Sequence, residues 1–221
     1  MHRPALLFDL DGTLIDSDPL HARVFKEMFA ERGIAVDEAF YVAEIHGRHN
    51  SEIFAKHCPD EDAHALHLLK EAAYRDLLPG LQIDPTPGAV ELLSRAGRAG
   101  WSVAVVTNAP RMNAEASLDA IGLLGAFDTT VIGEECERGK PDPAPYLHAL
   151  ELLGATPENT IAFEDSASGI ASAVGAGLRT IGLTSSLSDE ALRAAGAAAS
   201  IQNFHDTALG PELARLEGEL T

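Results

Sequence analysis

Leu6-Leu7-Phe8-Asp9-Leu10-Asp11-Gly12-Thr13-Leu14 is an apolar, strand-like run that ends in two aspartates two positions apart and then meets glycine and threonine. A strand alternates its side chains, so Asp9 at the carboxyl end can face a crevice. Gly12 then lets the chain turn and bring Asp11 back toward the same point. Two carboxylates at one point invite a divalent cation. The plainer reading of the same residues is a strand closed by an Asp-Gly turn.

Working outward, strand-like runs at Ala5 to Asp9, Val103 to Thr107, Thr129 to Ile132, Thr160 to Phe163 and Thr180 to Leu183 alternate with segments of helical period. The intervening helices are predicted over Pro87 to Arg98, Met112 to Ile121, Pro143 to Leu153, Ser168 to Gly175 and Asp189 to Ala195. Several open on Pro, Ser or Asp, as helix starts do. This is the pattern of right-handed βαβ units on a parallel sheet, and strands this apolar suit a sheet covered on both faces. The expectation is an α/β, doubly wound core.

One stretch breaks the alternation. From about Pro19 to Leu81 no strand is convincing, while Leu20, Val24, Met28 and Phe29 recur at helical spacing, as do Leu66, Leu69, Ala73 and Leu77. A helical domain over residues 17–81 is therefore expected inside a core formed by residues 1–16 and 82–221. Asp16-Ser17-Asp18-Pro19 and the segment from Pro79-Gly80 to Pro87-Gly88 serve as linkers, and Pro211 to Leu220 reads as a short amphipathic helix.

The 221 residues, 46% of them hydrophobic, suit a globular enzyme with one core of ordinary size and a smaller inserted domain. No apolar run approaches bilayer length and the first residues carry no signal-peptide pattern, so a cytoplasmic protein is expected. Cys58 and Cys136 lie far apart without metal-type spacing, which argues against a disulfide framework or a zinc site. A formal net charge of -18 opposes nucleic acid and anionic membrane as partners. A small phosphate ester is still attracted locally by a cation and a lysine.

Asp9-Leu10-Asp11-Gly12-Thr13-Leu14 resembles the first signature of the haloacid dehalogenase superfamily of phosphohydrolases. Thr107-Asn108, closing a Val- and Ala-rich run, resembles the second signature. Lys140-Pro141 resembles the third, and Phe163-Glu164-Asp165-Ser166 followed by Gly169 the fourth. The four occur in order. The resemblance implies a Rossmann-like core, a small α-helical cap in the place of the inserted domain, and a phosphoric monoester hydrolase dependent on Mg2+.

By resemblance, Asp9 is the nucleophile and Asp11 the general acid and base. Asp9, Asp165 and the backbone carbonyl of Asp11 would hold Mg2+, with Glu164 contributing through water or from just outside the ligands. Thr107 and the amides around Asn108 would grip the phosphoryl oxygens, and Lys140 would add a point charge. Each residue also has a plainer reading: Thr107-Asn108 or Glu164-Asp165 as helix caps, Lys140 as a solvated lysine. Haloacid dehalogenases proper lack an acid at the second aspartate position, because a departing halide needs no proton. Asp11 therefore favours phosphoryl transfer.

Asp16-Ser17-Asp18-Pro19-Leu20-His21 resembles the start of the cap in β-phosphoglucomutases and related sugar phosphatases, where a histidine aligned with His21 hydrogen-bonds near the general acid. Gly47-Arg48-His49-Asn50 resembles the cap's substrate-specificity loop, although a polar turn between helices reads the same way. Mutases of this branch place an arginine where Asn50 stands, to anchor a second phosphate. Lys70 and Arg75, on the last cap helix, fit either a site-facing or a solvated position. Without that anchor water is the expected acceptor, and the reading is a phosphatase acting on a small phosphorylated metabolite, by resemblance a sugar phosphate. A phosphomutase and a non-catalytic binding protein are the alternatives, and a monomer or a homodimer would serve. Glu134, Glu135 and Glu137 read as charges solvating Lys140, and His64, His67, His148 and His205 as surface or packing residues. Trp101 and Phe127 read as core anchors.

Overall fold

The computed structural model describes residues 3–45 and 48–218. The chain divides into two compact units, residues 1–16 with 82–221, and residues 17–81.

In the larger unit six strands form one parallel sheet: β1 (Ala5–Phe8), β2 (Ser102–Thr107), β3 (Thr129–Ile132), β4 (Thr160–Glu164), β5 (Arg179–Leu183) and β6 (Ala199–Ile201). Their order is β3-β2-β1-β4-β5-β6. The order reverses between β1 and β4, and ligands of doubly wound sheets bind at the carboxyl ends of the strands beside such a switch point. The fold is α/β and Rossmann-like. β6 escapes a reading of the sequence because Ala199-Ser200-Ile201 is too short to display a period.

The smaller unit holds α1 (Asp18–Ala30), α2 (Glu38–Phe40) running into a π-helical turn at Tyr41–Ile45, α3 (Asn50–His57) and α4 (Ala63–Leu77). In the larger unit α5 (Ala89–Ala99), α6 (Arg111–Ala120), α7 (Ala144–Leu153), α8 (Ala167–Gly175), α9 (Asp189–Ala195) and α10 (Leu209–Leu216) flank the sheet. Among the described residues no helix is long and apolar enough to cross a membrane.

The alternation of β1 distributes its side chains between two cores. Leu6 and Phe8 join Val105, Phe163 and Ile181 under α5, α6 and α10, whereas Leu7 joins Ala104, Val106 and Ala162 under α7 and α8. The Phe8 and Phe163 rings stack at 4.9 Å across paired positions. Truncating either would cost about 3–5 kcal/mol. Trp101 is buried, and Phe127 packs edge-on to Phe8.

In the smaller unit the buried stripe of α4 is Leu66, Lys70, Glu71 and Tyr74, while Leu69 is 58% exposed. The stripe runs one position away from the apolar repeat because two of its members are charged. Lys70 is thus not on a solvated face.

Candidate active site

Asp9 follows β1 directly, and its backbone N–H donates to Phe163 O at 2.9 Å, which extends the sheet by one residue. Asp165 follows β4. The switch point therefore brings together two aspartates that are distant in sequence, with Glu164, the last residue of β4, beside them. Ligand oxygens of Asp9, Glu164 and Asp165 lie within 4.8 Å of one another, and all three residues are buried.

Lys140 closes this cluster. Its ammonium has three protons and donates to Asp9 Oδ1 at 2.6 Å, Glu164 Oε1 at 2.6 Å and Val106 O at 2.7 Å. It is buried, so the solvated reading of Lys140 is set aside. The loop that delivers it is held by Asn108, whose Oδ1 accepts from Lys140 N–H and whose Nδ2 donates to Lys140 O, both at 3.0 Å. The Asn108 side chain is thereby committed to Lys140. Thr107 ends β2 and accepts from Ala109 N–H at 3.0 Å, while α6 has Pro110 at its N-cap and no side-chain cap. The capping alternative for Glu164-Asp165 also fails, since Ser166 caps α8 by accepting from Gly169 N–H. Glu135 pairs with Arg111 rather than solvating Lys140.

Glu164 is fully buried and its Oε1 accepts a second hydrogen bond, from the Tyr146 hydroxyl at 2.6 Å. A Cβ at Gly169 would overlap Glu164 Oε2, so only glycine leaves the carboxylate its place. With Oε1 engaged twice, Glu164 anchors the lysine. Asp9 and Asp165 are the better placed of the three to bind a cation directly.

The electrostatics follow from a simple inequality, three buried carboxylates against one ammonium. Burial pushes Asp9 well above the usual carboxylate range, and Glu164 and Asp165 add to the rise against the opposing pull of Lys140. Asp165 is pushed up to about 7 by burial first and Glu164 next, with Asp11 contributing. Lys140 is held above the ordinary lysine range: burial alone would lower it, but Asp9 and Glu164 together outweigh that. An all-oxygen donor set with surplus negative charge fits a hard divalent cation such as Mg2+. Asp11, in the turn after β1 and bridged to Ile15, lies within electrostatic reach of Asp165.

The smaller unit contains its own polar network. Lys70 donates to His21 Nδ1 at 2.9 Å and to Glu71 Oε1 at 3.0 Å. Asn50 Nδ2 donates to the same Glu71 oxygen at 2.6 Å and meets His67 Nδ1 at 3.1 Å. An ammonium only donates, so His21 Nδ1 accepts and its proton sits on Nε2. The His21 ring stacks on Tyr74 at 4.3 Å. Of the loop residues singled out in the sequence, Asn50 joins this network, Arg48 is exposed and donates to Ala43 O, and Gly47 lies outside the described residues. His67 is a network member rather than a mere surface residue. Tyr146 and Glu71 are missed by sequence reading because each occupies a helix position where only the fold supplies the partner.

The family described as haloacid dehalogenase-like hydrolase matches residues 6–183. Validoxylamine A 7'-phosphate phosphatase of Streptomyces hygroscopicus subsp. limoneus is 35% identical over 84% of this chain and 88% of its own length. The phosphorylated carbohydrates phosphatase of Thermotoga maritima is 31% identical over 90% of this chain and 94% of its own. The crystal structure of a CbbY mutant from Rhodobacter sphaeroides, in complex with xylulose-(1,5)bisphosphate, is 31% identical with a TM-score of 0.77. That alignment covers 91% of this chain and 95% of the other.

Proposed function

The chain belongs to the haloacid dehalogenase-like hydrolases as a phosphoric monoester hydrolase acting on phosphorylated metabolites, and from that premise we propose a Mg2+-dependent sugar-phosphate phosphatase working through an aspartyl-phosphate on Asp9. The observation that carries this reading is the buried Asp9, Glu164, Asp165 and Lys140 cluster at the switch point, with Asp11 in the following turn.

In this reading the Asp9 carboxylate attacks phosphorus while Asp11 gives its proton to the departing oxygen. Asp11, now a carboxylate, takes a proton from water, whose oxygen attacks phosphorus and restores Asp9 as inorganic phosphate leaves. Lys140 orients Asp9 and offsets phosphoryl charge, and Thr107 donates its hydroxyl to a phosphoryl oxygen. Asp9, Asp165 and the Asp11 carbonyl would hold Mg2+, which when bound neutralises charge between the nucleophile and the phosphate. Substrate choice is assigned to the smaller unit, through His21, Asn50 and the loop bearing Gly47 and Arg48. Asn50, where mutases carry arginine, favours water over a second sugar phosphate as acceptor. The activity requires no membrane, nucleic acid or partner chain, which suits a cytoplasmic monomer or homodimer.

The test is phosphate release from hexose 1- and 6-phosphates, hexitol phosphates and phosphoglycolate, with Mg2+ and with a chelator. Metal-dependent release from sugar or hexitol phosphates is expected. Consumption of β-glucose 1-phosphate without release, dependent on added bisphosphate, would replace it with the mutase.

A further inference from the structure

The segment after β5 reads Thr184-Ser185-Ser186-Leu187-Ser188, four hydroxyl residues in five. Two of the hydroxyl residues secure the loop. Thr184 N–H donates to Ile201 O at 3.0 Å, and Ser188 Oγ caps α9 by accepting from Ala191 N–H. Leu187 packs against Ile170, Leu192 and Ala197 between them. The loop is thus pinned at both ends and in the middle.

The other two hydroxyls reach the candidate active site. Ser186 Oγ donates to Asp165 Oδ2, and Ser185 Oγ donates to Gly12 O at 2.6 Å. Gly12, at a φ of +77°, fits closely here: a Cβ on it would overlap Asp165 Oδ2 and lie 3.3 Å from Ser186 Oγ. The turn bearing Asp11, the end of β4 and the loop after β5 therefore meet at one point.

We infer that Ser186 is a positioning residue for the cation, fixing the Asp165 carboxylate so that its other oxygen is presented to Mg2+, with Ser185 holding the Gly12 turn against it. The inference rests on the proposed Mg2+ reading. Partners that orient a ligating carboxylate are worth roughly 10–100-fold in metal affinity. None of the four family signatures includes this loop, and its serines have no chemistry of their own in the reaction.

The test is the Mg2+ concentration that half-maximally raises the melting temperature of the full chain, measured alongside steady-state kinetics. Ser186→Ala should raise that concentration by about tenfold or more. Its kcat should recover at high Mg2+ with the KM for the phosphate ester unchanged, and Ser186→Thr, which keeps the donor, should restore the midpoint. A Ser186→Ala midpoint equal to wild type overturns the inference, as does a lowered melting temperature in chelator with no change in midpoint. If Ser186→Ala does not fold, the Ser186→Thr and Ser186→Val pair makes the same comparison with and without the hydroxyl. Asp165→Asn separates the two levels: it should abolish the Mg2+ response. A response retained in Asp165→Asn removes the cation reading itself, whereas its loss beside an unchanged Ser186→Ala removes only the role of Ser186.

Discussion

Among the described residues two lysines are buried, one in each compact unit, and they are balanced differently. Lys140 gives all three protons to two carboxylates and a carbonyl, inside a cluster where three buried carboxylates face one ammonium. Lys70 meets one carboxylate, one imidazole nitrogen and the faces of Phe25 and Tyr74. Its one ammonium faces one carboxylate, Glu71. The first arrangement, three buried carboxylates around one ammonium, leaves an electrostatic demand that a cation would satisfy, while the second sets one ammonium against one carboxylate. A buried ion pair is therefore informative about chemistry only when its charges are counted with their neighbours.

Removing each lysine tests that contrast most strongly. Lys140→Met leaves Asp9 and Glu164 buried without a counter-charge, so the metal-free protein should lose about 3–5 kcal/mol in urea unfolding. Its phosphate release should fall by about 10²–10³-fold or more. Lys70→Met removes one donor from Glu71, which still accepts from Asn50, and the expected loss is smaller, about 1–3 kcal/mol. Equal losses from the two variants would break the comparison.

The difference in legibility between the units has the same origin. Asp9, Asp11, Thr107, Lys140 and Asp165 are readable because each ends or follows a strand or sits in a loop, where polar residues interrupt apolar runs at points the sheet topology brings together. Lys70 and Glu71 lie inside a helix, on a face that the apolar repeat of α4 misplaces by one position. Tyr146 stands out in no way in the sequence, and only the fold sets Glu164 against its hydroxyl. The serines after β5 form no pattern, because their partners come from the turn after β1 and the end of β4.

A smaller effect sharpens the contrast through pH. Asp165 titrates near 7 in the metal-free fold, raised by burial and by Glu164, against about 4 for an unfolded aspartate. A raised carboxyl contributes stability that is complete below the unfolded value and is lost as pH rises through 7. The metal-free protein should therefore melt lower at pH 8 than at pH 5.5. Mg2+ should raise the melting temperature more at pH 8, at roughly 2–4 °C for each kcal/mol in a chain of this size. Lys70→Met should leave that pH-dependent gain unchanged, since its described partners, His21 and Glu71, are not among the clustered carboxylates.

The most direct test of Asp9 as nucleophile is acid quenching during turnover of a sugar phosphate, followed by peptide mass mapping. A phosphoryl group is expected on the peptide that contains Asp9, present with Mg2+, absent with chelator and absent from Asp9→Asn, which should not turn over. Wild-type phosphate release by Asp9→Asn, or turnover with no phosphoryl group ever found on that peptide, would contradict it.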